Sequence, residues 1–364
     1  MMATQSKPQT VQEACPRLEI HLDKIRHNTR CLAQRLAADN MALMAVTKVV
    51  LGEPAVARMM MEGGARYIGD SRIENIRRMA QAGVNAEFAL IRSPQISRVD
   101  EVVAHAHMSC NSELSVVQAL SDACQRLDRT HKVLVMVELG DLREGLLPKD
   151  LMATVASMAD LPGITVAGIG TNLGCFSGTL PGPETMDQLS ALADQVEAQL
   201  GLTLDLVSGG NSSNYSWLTS ASPKGRINNL RMGEMIFLGR NIMTNEPVPE
   251  MHQDAVRLVG EVIEFKTKSS APQGDVVRDA FGEKPKFANK GQMTRAILAL
   301  GRQDVFAAGI VPPAPMEIVG ACSDHLVLDT CDIPVKIGDE LGFDLSYGAL
   351  LSAMTSPYVK KVYF

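Results

Sequence analysis

Between about Leu22 and Gly239 the chain alternates short apolar runs with helical stretches eight times over, and few folds can absorb that pattern. The strand-like runs are the one centred on Met41–Val50, then Arg66–Gly69, Glu87–Ile91, His107–Cys110, Lys132–Leu139, Thr165–Gly170, Leu204–Val207 and Asn229–Leu238. Between them lie the helical stretches Pro54–Glu62, Arg72–Ala82, Ile96–Ala104, Ser112–Leu127, Pro148–Ala159 and Glu184–Leu200. The run from Met41 is continuously apolar up to Lys48, which marks a parallel strand buried on both faces. An α/β fold follows, a closed parallel (β/α)8 barrel of the TIM type over residues 17–240, with a doubly wound open sheet as the alternative.

Residues 1–16 are polar and read as a flexible tail. Arg17 to Leu22 alternates like a strand, and Asp23 is placed to cap a helix whose apolar face holds Ile25, Leu32 and Leu36. Past Asn241 prolines punctuate short strand-like runs, Val256–Phe265, Ile297–Leu300, Leu326–Leu328 and Tyr358–Tyr363, so residues 241–364 read as a smaller all-β domain. The polar, Gly/Pro-broken connection from Lys268 to Gln292 is of the kind that is functional or disordered.

The charge balance narrows the partners. Lys and Arg number 35 against 41 Asp and Glu, for a net charge of −6, and no basic run tracks a phosphate backbone, so nucleic acid is not an expected partner. Seven scattered cysteines without Cys-x-x-Cys spacing argue against a disulfide framework or structural zinc and fit a reducing cytoplasm. No apolar run approaches a membrane span. His105 and His107 have no nearby cysteine or carboxylate cluster, and no metal site is expected there.

Two stretches carry chemistry. Lys48 ends a buried strand, where it is either a snorkelling lysine or an amine whose desolvation makes it a nucleophile. Asp205 to Asn214, with Ser208, Gly209, Gly210, Asn211 and Ser212, follows the seventh barrel strand and offers clustered amides and hydroxyls to an anion, where barrels often bind phosphate. A phosphorylated aldehyde would satisfy both.

These residues and their spacing resemble the alanine racemase superfamily of fold-type III pyridoxal-phosphate enzymes, most closely its ornithine racemase branch, over nearly all of Arg17–Phe364. The resemblance implies that Lys48 in Ala45-Val46-Thr47-Lys48 holds pyridoxal 5'-phosphate covalently and that Asn211-Ser212 contact its phosphate. Leu230 to Gly239 resembles the family's Arg-Pro-Gly segment, so Arg231 would donate to the pyridine nitrogen and Gly233 offer its amide to the phosphate. A guanidinium can only donate, so that nitrogen would stay unprotonated and the ring a weaker electron sink. Gly140 to Gly145 resembles the segment whose arginine, here Arg143, places the substrate carboxylate. Gly320 to Asp329, with Asp324, resembles the substrate-carboxylate loop, Val335 to Glu340 the segment after it, and Ser346-Tyr347-Gly348 the phosphate-binding tyrosine motif. Relatives dimerise head to tail, so residues of the β domain would reach the partner's barrel.

The chain departs from the family in three places. Val49-Val50-Leu51-Gly52 lacks the tyrosine that follows the lysine in alanine racemases, and Asn172 stands where they have a histidine. Gly301-Arg302-Gln303-Asp304 puts an arginine where they have the second, tyrosine base. The candidates for that base are Cys322 and Ser323. The expected activity is two-base racemisation of an amino acid, ornithine or another basic one, with Glu138, Asp141, Asp304 and Asp324 open as partners for its ammonium. A lyase of the same fold and a non-catalytic cofactor carrier are the rivals.

Overall fold

The structure is a computed structural model that describes residues 14–284 and 287–364. Most of the sequence-expected tail, residues 1–13, lies outside the described residues. The chain divides into two compact units, one of residues His21–Ala255 and the other of Val256–Phe364 together with the segment that ends at Ile20.

In the first unit eight parallel strands close a barrel: β2 (Ala42–Val46), β3 (Tyr67–Asp70), β4 (Glu87–Leu90), β5 (Met108–Asn111), β6 (His131–Met136), β7 (Ile164–Gly170), β8 (Leu206–Ser208) and β9 (Asn229–Met232). Helices join them: α1 (Leu22–Ala37), α2 (Pro54–Glu62), α3 (Ile73–Gln81), α4 (Val99–His105), α5 (Leu114–Leu127), α6 (Leu151–Ala159), α7 (Pro183–Leu200), α8 (Tyr215–Leu218) and α9 (Glu234–Leu238). Closure comes from β2 pairing with β9 in the register Met44↔Arg231 and Ala45↔Met232. Met44, Ala89, Met108, Cys110, Leu134, Met136, Ala167 and Leu206 form one buried cluster, and these apolar side chains hold the strands together. Met44, Met108 and Met136 supply three of them, as unbranched side chains suited to irregular interior space. Between β7 and β8 the backbones come so close that a Cβ on Gly168 would lie 1.8 Å from the Leu206 carbonyl oxygen.

Two expectations are corrected here. The eighth barrel strand stops at Met232, not Leu238, because the apolar run Met235–Leu238 is buried all round as a helix, and a continuous apolar run fits either element. Helix α1 begins at Leu22, one residue before the expected cap, so Asp23 lies in its first turn and His21 is the capping position.

The second unit is built on β1 (Arg17–Ile20), β10 (Val256–Ser269), β11 (Gln292–Leu298), β12 (Ile310–Val311), β13 (Glu317–Ala321), β14 (Leu326–Asp329), β15 (Glu340–Leu345) and β16 (Lys360–Tyr363). The order β12-β15-β10-β11-β14-β13 is antiparallel throughout, and β1 adds to β10 antiparallel and to β16 in parallel. The alternating segment read as the start of the barrel region is therefore a strand of this sheet. Arg17 fixes it there, donating to both Glu19 and Glu340 at 2.7 Å. The unit also holds one helix, α10 (Tyr347–Thr355), which the strand-only reading lacked; Ser346 caps it by accepting from the Ala349 amide. The compact units thus meet in the chain at 255/256, with residues 17–20 in the second, where the sequence reading drew the line at 240 and put 17–20 with the barrel.

Candidate active site at the carboxyl ends of the barrel strands

Lys48 opens a short 3-10 turn, Lys48–Val50, directly after β2. Its position is fixed by the residue before it. Thr47 is fully buried, donates its amide to the Gly69 carbonyl at 3.0 Å, and donates its hydroxyl to Asp70 Oδ2 at 2.8 Å. Asp70 also accepts from Asn75 Nδ2 and the Arg72 amide, and burial pushes its carboxyl above the usual range. The turn closes on Leu51 and Gly52, both with positive φ, and packs on Asn75.

Arg231, near the end of β9, is the centre of the polar network. It is 5% exposed and donates from Nη1 to Ser208 Oγ at 2.5 Å, and from Nη2 to the Thr171 carbonyl at 2.7 Å and to Asn172 Oδ1 at 3.4 Å. Burial works against its charge, and among the described residues none of its hydrogen-bond partners is a carboxylate. Its Nε–H and its second Nη1–H, uncommitted among those residues, are the donors left for a ligand. Ser208 is itself fully buried and donates onward to Asn229 Oδ1 at 2.7 Å, so its hydroxyl holds the arginine in place.

The segment after β8, where the sequence reading places an anion cup, is a tight capped turn. Asn211 accepts from the Ser213 amide at 2.7 Å, and its amide donates to Asn214 Oδ1, a reciprocal capping box. Its Nδ2 ties the segment to the loop after β7, through Asn172 Oδ1 at 3.0 Å and the Leu173 carbonyl at 2.8 Å. Gly210, at φ +136°, leaves room that a Cβ would fill, since it would lie 2.3 Å from Asn214 Oδ1. Ser212 Oγ and the Gly233 amide stand 3.4 Å apart, a hydroxyl and an N–H from neighbouring strand ends converging on one spot. The barrel thus brings together Lys48, Asn172, Ser208, Gly210, Asn211, Ser212, Arg231 and Gly233, from the ends of four strands.

Arg143 lies on the loop after β6. It pairs with Glu144 and donates to Cys175 Sγ at 3.1 Å, and its charge and those of Glu144 and Cys175 act on Arg231. Asp141 locks this loop to the one after β7, accepting from the Phe176 and Ser177 amides, from Ser177 Oγ and from Asn172. Against the effect of burial, these donors and Arg143 hold its carboxyl below the usual range. Glu138 accepts from the amides of Gly140, Leu142 and Arg143. Both carboxylates are therefore committed to shaping loops.

In the second unit Cys322, Ser323 and Asp324 form the turn between β13 and β14. The Cys322 amide donates to the His325 carbonyl at 2.9 Å, and Cys322 Sγ lies 3.5 Å from His325 Nδ1. Asp324 accepts from Gln303 Nε2 at 2.6 Å, and Asp304 from the Gly301 amide at 2.7 Å. Arg302 donates to the Ala321 carbonyl and to Glu283, and lies 4.1 Å over the Phe281 ring, so the long connection after β10 bears on the position where the family has its tyrosine base. Tyr347 is half-buried at the first position of α10. His107, just before β5, accepts from the Phe88 amide at 3.1 Å, at the opposite end of the strands from Lys48.

Sequence reading missed Glu234, one residue past Gly233. Burial pushes its carboxyl up to about 7, and the charge of Lys48 opposes that rise. A lone carboxylate at the head of the apolar run Met235–Leu238, just past a strand end, was the available signal.

Fold and site together define a barrel enzyme whose chemistry sits at the carboxyl ends of its strands. Residues 20–241 match the family described as alanine racemase, N-terminal domain. A lysine racemase of Thermotoga maritima is 38% identical, over 96% of this chain and 98% of its own. An ornithine racemase of Acetoanaerobium sticklandii is 35% identical, over 95% of this chain and 99% of its own. Among solved structures, an alanine racemase of Clostridium difficile 630 superposes with a TM-score of 0.74 at 18% identity, covering 98% of this chain and 97% of its own. A D-threonine aldolase from Filomicrobium marinum does so at 0.70 and 17%, over 94% and 89%, so the fold alone does not select the reaction. The chain belongs to the alanine racemase family and is an amino-acid racemase, an isomerase. Among the described residues no helix is long and apolar enough to cross a membrane.

Proposed function

We propose that the chain is a pyridoxal-phosphate-dependent racemase of a basic amino acid, ornithine or lysine, working by two-base transfer of the α-proton. The observation that carries this reading is Arg231, a buried guanidinium held by neutral oxygens with Nε–H uncommitted among the described residues, on the strand next to the one that leads into the Lys48 turn. A pyridine nitrogen, which only accepts, fits that donor; a phosphate fits Ser212 Oγ and the Gly233 amide at the turn that Asn211 shapes, with Tyr347 as a further contact. Bound there, pyridoxal phosphate supplies the electron-withdrawing ring that acidifies the α-C–H of an amino acid.

Lys48 holds the cofactor, and its Nζ takes or gives the α-proton on one face. In this reading Arg143 receives the substrate carboxylate, with Asp324 of the partner subunit as a second contact for the substrate. On the other face the proton belongs to Cys322 or Ser323 of the partner subunit in a head-to-tail homodimer. Cys322 is favoured by its imidazole neighbour, because a thiol next to His325 has a group with which to exchange a proton. The basic side chain rests on the lysine and ornithine racemases that the chain resembles end to end. Thiols at all seven cysteines suit a reducing, cytoplasmic setting.

The test is racemisation of L-ornithine and L-lysine in heavy water with added pyridoxal phosphate. Deuterium at the α-carbon of both enantiomers is expected, and Lys48→Ala should lose at least about a thousandfold in rate. Retained activity in Lys48→Ala overturns the mechanism.

A further inference from the structure

The loop after β6 leaves the barrel and returns to it within a few residues. Leu146 bridges to Val137: its amide donates to the Met136 carbonyl at 2.8 Å, and its carbonyl accepts from the Glu138 amide at 2.9 Å. Gly145, at φ +153°, makes the return possible, since a Cβ there would lie 2.5 Å from the Glu138 nitrogen. Arg143 and Glu144 are thereby pinned at the carboxyl end of β6, next to the loop after β7 that Arg143 touches through Cys175. Three carboxylates lie on this excursion. Glu138 is held by the amides of Gly140, Leu142 and Arg143, and Asp141 by those of Phe176 and Ser177. Glu144 is instead held by a side chain: its Oε2 accepts from Arg143 Nε at 2.5 Å and its Oε1 from Arg143 Nη2 at 2.8 Å. Among the described residues its carboxylate has no other hydrogen bond or ion pair, so it is the one acidic group of the loop that can be released without undoing the backbone.

A guanidinium grips a carboxylate best through two parallel N–H bonds, and Glu144 occupies such a fork of Arg143. We propose that Glu144 selects a basic substrate by an exchange of partners: the substrate carboxylate takes its place on Arg143, and the released Glu144 carboxylate turns to the ammonium that ends the substrate side chain. An amino acid with a cationic side chain brings both charges the exchange needs, so two ion pairs replace one. A neutral amino acid displaces Glu144 and offers it nothing, which leaves a carboxylate whose side chain is only 26% exposed without a cation. The selection thus comes as much from the penalty on the wrong substrate as from the contact with the right one. It rests on the reading of Arg143 as the group that receives the substrate carboxylate.

The test compares L-ornithine with L-norvaline, which has the same carbon chain without the terminal amine, as ligands of the full-length protein loaded with pyridoxal phosphate. Binding is measured by calorimetric titration. Wild type should bind ornithine at least about tenfold more tightly than norvaline. Glu144→Gln and Glu144→Ala should each lose that preference, ornithine binding more weakly while norvaline binds as well as before or better, because Arg143 has been freed. An ornithine-to-norvaline ratio in these variants equal to that of wild type overturns the proposal. So does an equal weakening of both ligands, which would make Glu144 a prop for Arg143, and so does a wild type without the preference. Because binding and not turnover is read, failure of the racemase reading, seen as retained activity in Lys48→Ala, is distinguishable from failure of this one.

Discussion

His131 shows how a single side chain ties the barrel to pH. It is 1% exposed, its Nε2 is 2.8 Å from the hydroxyl of buried Ser109, and burial pushes its pKa down to about 4. The folded protein therefore holds the ring neutral where an unfolded chain, with an imidazole near its ordinary value, binds a proton. Between about pH 6.5 and 4 the unfolded state carries more protons, so stability rises with pH in that window and is lost as pH falls through it, by roughly 3 kcal/mol for this group. Urea unfolding at intervals across the window should show that slope, and His131→Gln should flatten it; an equally steep slope in the variant would assign the acid sensitivity elsewhere. At the same scale, Arg231 illustrates a cation kept charged by carbonyl and hydroxyl oxygens, which leaves its reach toward a ligand uncancelled by a carboxylate.

Among the elements, the turn after β2 matters most. Gly52 has φ +63°, and a Cβ there would lie 2.6 Å from Asn75 Cβ and 3.0 Å from its Cα. Gly52→Ala meets both a left-handed backbone and a backbone atom that cannot swing aside, and should cost about 2 kcal/mol or more. Denaturant unfolding should give a lower midpoint with an unchanged slope, and activity should fall with it, since the turn carries Lys48. How far such elements can be read in advance depends on the range of the forces that make them. Strand β2 and its terminal lysine were legible because continuous apolarity and one interrupting charge are local features. The Gly210-Asn211-Ser212 turn was legible for the same reason. The end of β9 was not, since Met235–Leu238 is buried whichever element it adopts, and neither was the sheet to which β1 belongs, since alternation shows a half-buried strand without naming its neighbour. Glu234 escaped notice because what raises its carboxyl is burial, and that burial comes from barrel closure between strands far apart in sequence.

For the whole molecule, the proposed exchange of residues between protomers makes a quantitative prediction. If each site takes its lysine from one chain and its opposite base from the partner, Lys48→Ala and Cys322→Ala are each inactive alone. Dissociated and reassociated together at equal amounts, half of the dimers are mixed and each mixed dimer holds one intact site, so about one quarter of wild-type activity should return. No recovery would mean that both residues serve the same site from one chain, and activity in Cys322→Ala alone would mean that Cys322 is not the base. The pairing of β2 with β9 has a further bearing on how the protein is made. These two strands are the earliest and the latest of the barrel to leave the ribosome, and they carry Lys48 and Arg231. During translation neither can act on a ligand with the other until nearly the whole barrel has emerged, so capture of a small aldehyde by a nascent chain would have to wait for that last strand, and a barrel stalled before it would present a lysine without its guanidinium.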